Sequence, residues 1–139
     1  MIKWDPSLSV GVEMIDGQHQ ELIRRIQLLV QSIKEGKCRA TIGGTVDYLM
    51  DYVREHFGAE EKVMRDAGYD GYVAHHGQHE EFIRSVGQLR ADLDKIRTEG
   101  GSSYELSVTT NQVVVEWILH HIMTTDQALG RFLNASTPG

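Results

Sequence analysis

Apolar residues recur at intervals of three and four along most of the chain, the spacing that places side chains on one face of an α-helix. The first such run is Leu22, Ile23, Ile26, Leu29, Val30 and Ile33, with His19 on the same stripe and Asp16 ahead of it as an N-cap. It ends at Glu35-Gly36, where glycine can take the left-handed cap conformation. A second run, Val46, Leu49, Tyr52, Val53, Val63 and Met64, has Asp51, Arg54, Glu55, Glu61 and Lys62 between its apolar positions and stops at Asp66-Ala67-Gly68. Gly43-Gly44 weakens its start by about 1 kcal/mol per glycine against alanine, so its first turn is expected to fray. The third run is Tyr72, Phe82, Ile83, Val86, Leu89, Leu93 and Ile96. Residues 99–103 break the pattern, Ser102 with Glu105 has the form of a capping box, and the last run follows as Val114, Trp117, Ile118, Ala128, Leu129, Phe132 and Leu133.

This pattern predicts helices over residues 17–36, 42–66, 72–98 and 104–133, with residues 1–16 as an arm laid across them by Trp4, Leu8, Val10 and Ile15. Pro6 and Pro138 both lie in end segments, so no proline interrupts the helices. Short connections make sequential helices antiparallel neighbours. The expected fold is therefore all-α, an up-down-up-down antiparallel four-helix bundle with an N-terminal extended arm, and 139 residues suit a single domain.

Charge and composition narrow the function. The net charge is −6 and the basic residues are scattered, so the basic stripe of a nucleic-acid or anionic-membrane binder is missing. No apolar stretch has the length of a signal peptide or a membrane span. Cys38 is the single cysteine, which agrees with a reducing, cytoplasmic setting.

The seven histidines change the picture more. His19, His56, His75, His79 and His121 fall on the apolar stripes, and so does Glu60. His56 precedes Glu60 by four residues and His75 precedes His79 by four, so each pair aims two metal-ligand groups in one direction. A buried carboxylate needs a partner, and a shared cation would serve all of these groups at once. Asp126 is five residues beyond His121, about 140° around an ideal α-helix, a poorer match to one face that a bridging carboxylate could still span. Five imidazoles and two carboxylates are too many for one tetrahedral zinc and suit two ions of borderline hardness such as iron. His76 and His120, each next to one of these residues, point about 100° away and read as surface groups or as outer neighbours of the ligands.

The segments Ile15-Asp16-Gly17-Gln18-His19, His56-Phe57-Gly58-Ala59-Glu60, His75 to His79 followed by Phe82, and Trp117-Ile118-Leu119-His120-His121-Ile122 to Asp126 together resemble the bacterial hemerythrins, a hemerythrin-like di-iron family. The resemblance implies a four-helix bundle that binds O2 reversibly at two non-haem iron ions, as carrier, store or sensor. It implies that His75, His79 and His121 hold one iron and His19 and His56 the other, with Glu60, Asp126 and an oxo or hydroxo group as bridges. The second iron would keep an open position for O2. Ile118 and Val114, one and two turns before His121 on its face, either line that pocket or simply pack in the core, and Trp117 and Phe57 read as core aromatics first and as shields of the site second. Other expectations are no nucleic-acid or membrane partner and a monomer or weak oligomer. The alternative is a di-iron enzyme that reduces nitric oxide or peroxide, or a protein for iron storage and detoxification.

Overall fold

The structure is a computed structural model that describes residues 2–99 and 103–135. Among them are four long helices: α1 (Glu13–Lys34), α2 (Arg39–Asp66), α3 (Tyr72–Glu99) and α4 (residues 103–135). Each packs on its sequence neighbour and α4 closes the ring against α1, giving an antiparallel bundle. The expected capping box at Ser102 and the side chain of Ile96 lie outside the described residues.

Glycine ends α1 and α2. Gly36 and Gly68 both have φ of +66°, and the amides of Lys37 and Tyr69 bond back to the carbonyls of Ser32 and Met64, closing each helix with a Schellman motif. The Gly43-Gly44 pair does not fray α2, which begins earlier, at Arg39, with Cys38 at its N-cap. Gly43 is buried, and an added Cβ there would sit 3.0 Å from the Arg90 guanidinium. Arg90 reaches Asp47 at 3.1 Å and Asp94 at 2.7 Å, so a cross-helix ion pair occupies the space a side chain would have filled.

The arm is shorter than the spacing suggests, because α1 starts at Glu13 and not at Gly17. Asp16 is no N-cap: its carboxylate accepts the Val10 amide at 2.8 Å and the Ser9 hydroxyl at 2.6 Å, pinning the arm to the helix. Pro6–Leu8 forms a single 3-10 turn capped by Asp5. Gln127 of α4 donates to the Ser9 carbonyl at 2.7 Å and Gln27 of α1 to the Ile2 carbonyl at 2.8 Å. Gly130 makes room for the crossing, since a Cβ there would stand 2.2 Å from the Val10 carbonyl oxygen.

The interior divides in two. A large apolar cluster runs along the bundle through Leu22, Ile26, Val53, Phe57, Phe82, Val114, Ile118 and Ile122. A small one, Val10, Ile15, Met64 and Leu129, closes the end where the arm and the α2–α3 turn lie. Along every helix the residues between these clusters are polar and buried: His19, His56 and Glu60, His75 and His79, His121 and Asp126.

Candidate metal centre

Each helix delivers its groups by its own geometry. On α2 and α3 the four-residue spacing stacks His56 over Glu60 and His75 over His79. On α4 it is the backbone that changes: Ile122–Asp126 is a π-helical turn, in which residues five apart come into line. That turn swings Asp126 beside His121, removing the 140° mismatch expected of an α-helix, and Asp126 Oδ1 lies 3.2 Å from His121 Nε2. A second π-helical turn, Asn111–Glu116, precedes it.

All seven side chains are at most 2% exposed. They form two groups, Glu60, His75, His79, His121 and Asp126 in one and His19, His56, Glu60 and Asp126 in the other, with the ligand atoms of each group within 4.8 Å of one another. The carboxylates belong to both because each divides its oxygens. Glu60 Oε1 lies 2.6 Å from His75 Nε2 and 3.3 Å from His79 Nε2, while Oε2 faces His56 Nε2 at 3.3 Å. Asp126 Oδ1 lies 3.1 Å from His75 Nε2, and Oδ2 faces His19 Nε2 at 3.0 Å.

These approaches are close, yet both oxygens of Glu60 and Asp126 and the Nε2 atoms of His19, His75, His79 and His121 lack hydrogen-bond partners. Leaving buried polar atoms unpaired costs about 1–3 kcal/mol each, so a fold that gathers so many needs a compensating partner at their common focus. Lone pairs from nitrogen and oxygen converging on two points fit a pair of cations. The charges are arranged accordingly. Burial and the Asp126 charge push the Glu60 carboxyl up, but the imidazoles of His56, His75 and His79 outweigh them and hold it at about 2. Burial raises Asp126 too, and His121, His19 and His75 bring it well below the usual carboxylate range. Burial depresses His75, and Asp126 and Glu60 reverse this, raising it to about 9; for His121 burial prevails and its value falls.

The Nδ1 atoms of three of the imidazoles meet groups that the spacing did not single out. His56 Nδ1 faces Gln18 Oε1 at 2.7 Å, His121 Nδ1 faces Gln78 Oε1 at 2.8 Å, and His79 Nδ1 faces Glu61 Oε2 at 2.7 Å. Gln78 also accepts from Thr125 at 2.8 Å, which joins α3 to α4. Gln18, Glu61 and Gln78 each adjoin a residue of the ring in sequence, the one signal that could have nominated them.

The aromatic residues expected around the site stack on particular imidazoles. Phe57 lies flat on His79, with centroids 3.7 Å apart and planes 5° apart, and Trp117 lies on His121 at 4.7 Å and 13°. Both thus back the three-histidine group. Ile118 and Val114 are buried in the main apolar cluster. His120 is exposed, and His76 is partly exposed beside Glu61.

The sequence profile of the Hemerythrin HHE cation binding domain matches residues 10–133. The chain belongs to the hemerythrin family. It is 31% identical to the bacteriohemerythrin of Stenotrophomonas maltophilia (strain R551-3) over 128 residues, covering 92% of this chain and 78% of that one. The bacteriohemerythrin of Methylococcus capsulatus (strain ATCC 33009 / NCIMB 11132 / Bath) is 32% identical over 125 residues, 90% of each chain. Myohemerythrin-1 of Phascolopsis gouldii is 29% identical, covering 88% of this chain and 87% of its own. A crystal structure of wild-type hemerythrin superposes with a TM-score of 0.77 at 29% identity, covering 96% of this chain and 98% of that one. The buried ring of this hemerythrin domain has the donor set and burial that suit a metal site. Among the described residues no helix is long and apolar enough to cross a membrane.

Proposed function

We propose that this hemerythrin-family chain binds O2 reversibly at two iron ions held in the buried ring, acting as an O2 carrier, store or sensor in the cytoplasm and as a single domain. The observation that carries the reading is the division of Glu60 and Asp126 between two histidine groups, one with three imidazoles and one with two. His75, His79 and His121 would hold one iron and His19 and His56 the other, with Glu60 and Asp126 shared between them. Iron bound there supplies the redox electrons that O2 binding requires.

The protein's own residues do the rest. The two-histidine half has one imidazole fewer and would leave a position for a small molecule. Ile118 and Val114 are buried in the same apolar interior and would slow the access of water and protons to the site. Phe57 and Trp117 fix the planes of His79 and His121. Five neutral imidazoles keep the site less anionic than a carboxylate-rich one, which disfavours the high oxidation states of oxygenase chemistry. The exposed, unpaired Cys38 fits a reducing compartment.

The test is to load the chain anaerobically with ferrous iron and cycle it between O2 and argon. The visible absorption gained under O2 should vanish under argon and return over repeated cycles. Steady consumption of nitric oxide or peroxide with an electron donor, without such cycling, would point to an enzyme instead.

A further inference from the structure

The imidazoles of the ring are not equally supported behind their metal-facing nitrogens. His56 and His121 each turn Nδ1 to a neutral carboxamide, Gln18 and Gln78. His79 turns its Nδ1 to a carboxylate, Glu61 Oε2, at 2.7 Å. His19 and His75 have no hydrogen-bond partner for Nδ1 among the described residues. Only one histidine of the ring, and one on the three-histidine side, is therefore backed by a full negative charge.

Glu61 is built into that place. It follows Glu60 on α2, so it projects about 100° around the helix from the ring, and its side chain is only 13% exposed. Its second oxygen, Oε1, lies 2.9 Å from His76 Nδ1. The His76 ring is stacked on Tyr72, with centroids 5.7 Å apart and planes 7° apart, which holds it against Glu61. On the other side Phe57 lies flat on His79 and stops that ring from turning its Nδ1 away. Tyr72, His76, Glu61, His79 and Phe57 form one continuous stack of contacts from the surface to the ring.

We propose that Glu61 is a positioning and charge-donating residue that makes the two halves of the centre electronically unequal. An imidazole that donates its Nδ1 hydrogen to a carboxylate shares the proton more fully than one that donates to an amide. Electron density then rises at Nε2, the ligand becomes more basic, and the metal it faces holds its oxidised state more firmly. Partial burial strengthens the effect, because the Glu61 charge is poorly screened. The three-histidine half is thus biased toward oxidation by its surroundings as well as by its extra imidazole. The inference deepens the O2-binding reading and rests on it: the carboxylate stands behind the three-histidine half, away from the two-histidine half where O2 would bind.

The experiment compares the iron-loaded chain with Glu61→Gln and Gln78→Glu, measuring iron per chain and the midpoint potential by spectroelectrochemical titration. Glu61→Gln keeps shape and a hydrogen-bond acceptor and removes the charge. It should retain two irons with a potential shifted positive. Gln78→Glu places a carboxylate behind His121 and should shift the potential negative. Two irons in Glu61→Gln with an unmoved potential would overturn the inference while leaving the metal reading intact. Should Glu61→Gln fail to hold iron, Gln78→Glu decides: a negative shift supports the inference, and an unmoved or positive one overturns it. Fewer than two irons in the unaltered chain would instead bring down the O2-binding reading on which it rests.

Discussion

At the scale of single residues, neighbours in sequence have opposite roles. His121 is buried with Nε2 3.2 Å from Asp126, whereas His120 beside it is exposed. Replacing His121 with alanine should therefore lower iron below two per chain, while His120→Ala should leave it at two; equal losses by elemental analysis would contradict the placement. Gly130 carries a different constraint. A Cβ there would meet the Val10 carbonyl oxygen at 2.2 Å, and that oxygen belongs to backbone, so the arm must move. Overpacking of this kind costs about 1–3 kcal/mol. Gly130→Ala should show that loss in the urea midpoint of the metal-free protein, and a midpoint unchanged from that of the unaltered chain would mean that the arm does not sit against α4 as described.

At the scale of helices, the apolar stripes carry the bundle, and histidines at four-residue spacing within those stripes were readable before any coordinates. An imidazole on an otherwise apolar face is conspicuous because burial would be costly without a partner. The sequence reading missed what depends on packing between elements. The π-helical turn Ile122–Asp126 leaves no mark in the periodicity, so Asp126 looked misplaced relative to His121 until the backbone brought it round. Asp16 has the composition of a cap, yet its carboxylate serves the arm. Gly43 looked like a weakness because Arg90, which occupies its missing side-chain volume, comes from another helix. Glu61 and Gln78 are ordinary polar residues on their own helices, and Gln18 stands out only as part of the segment before His19; contact with a histidine is what gives each its role.

At the scale of the whole molecule, the ring couples stability to metal and to pH. Metal bound only by the folded chain stabilises it by about 4 kcal/mol at a free concentration a thousand times Kd. For a domain of this size that corresponds to roughly 14 °C in Tm, to be read by calorimetry with and without iron. The pH trends should differ between the two forms. Glu60 is held at about 2, so its contribution is present above its ordinary value near 4.5 and is lost as pH falls toward 2. His75 is raised to about 9, so its contribution is complete below about 6.5 and is lost as pH rises through 9. Metal-free protein should thus weaken from pH 6.5 to 9. Iron-loaded protein should hold its stability there and lose metal below about pH 6, where protons compete for the imidazoles. Parallel trends in the two forms, followed by thermal melts across that range, would argue against a ring that holds metal through neutral histidines.

The most direct measurement of the central claim is an O2 titration of the anaerobic, ferrous-loaded chain, followed in the visible spectrum with iron and O2 both counted. The expected result is one O2 taken up per two irons, released in full when the gas is removed, and taken up again on the next cycle. Oxidation of the iron on first exposure with no O2 recoverable, or uptake of one O2 for each iron, would contradict a shared reversible site built by Glu60 and Asp126.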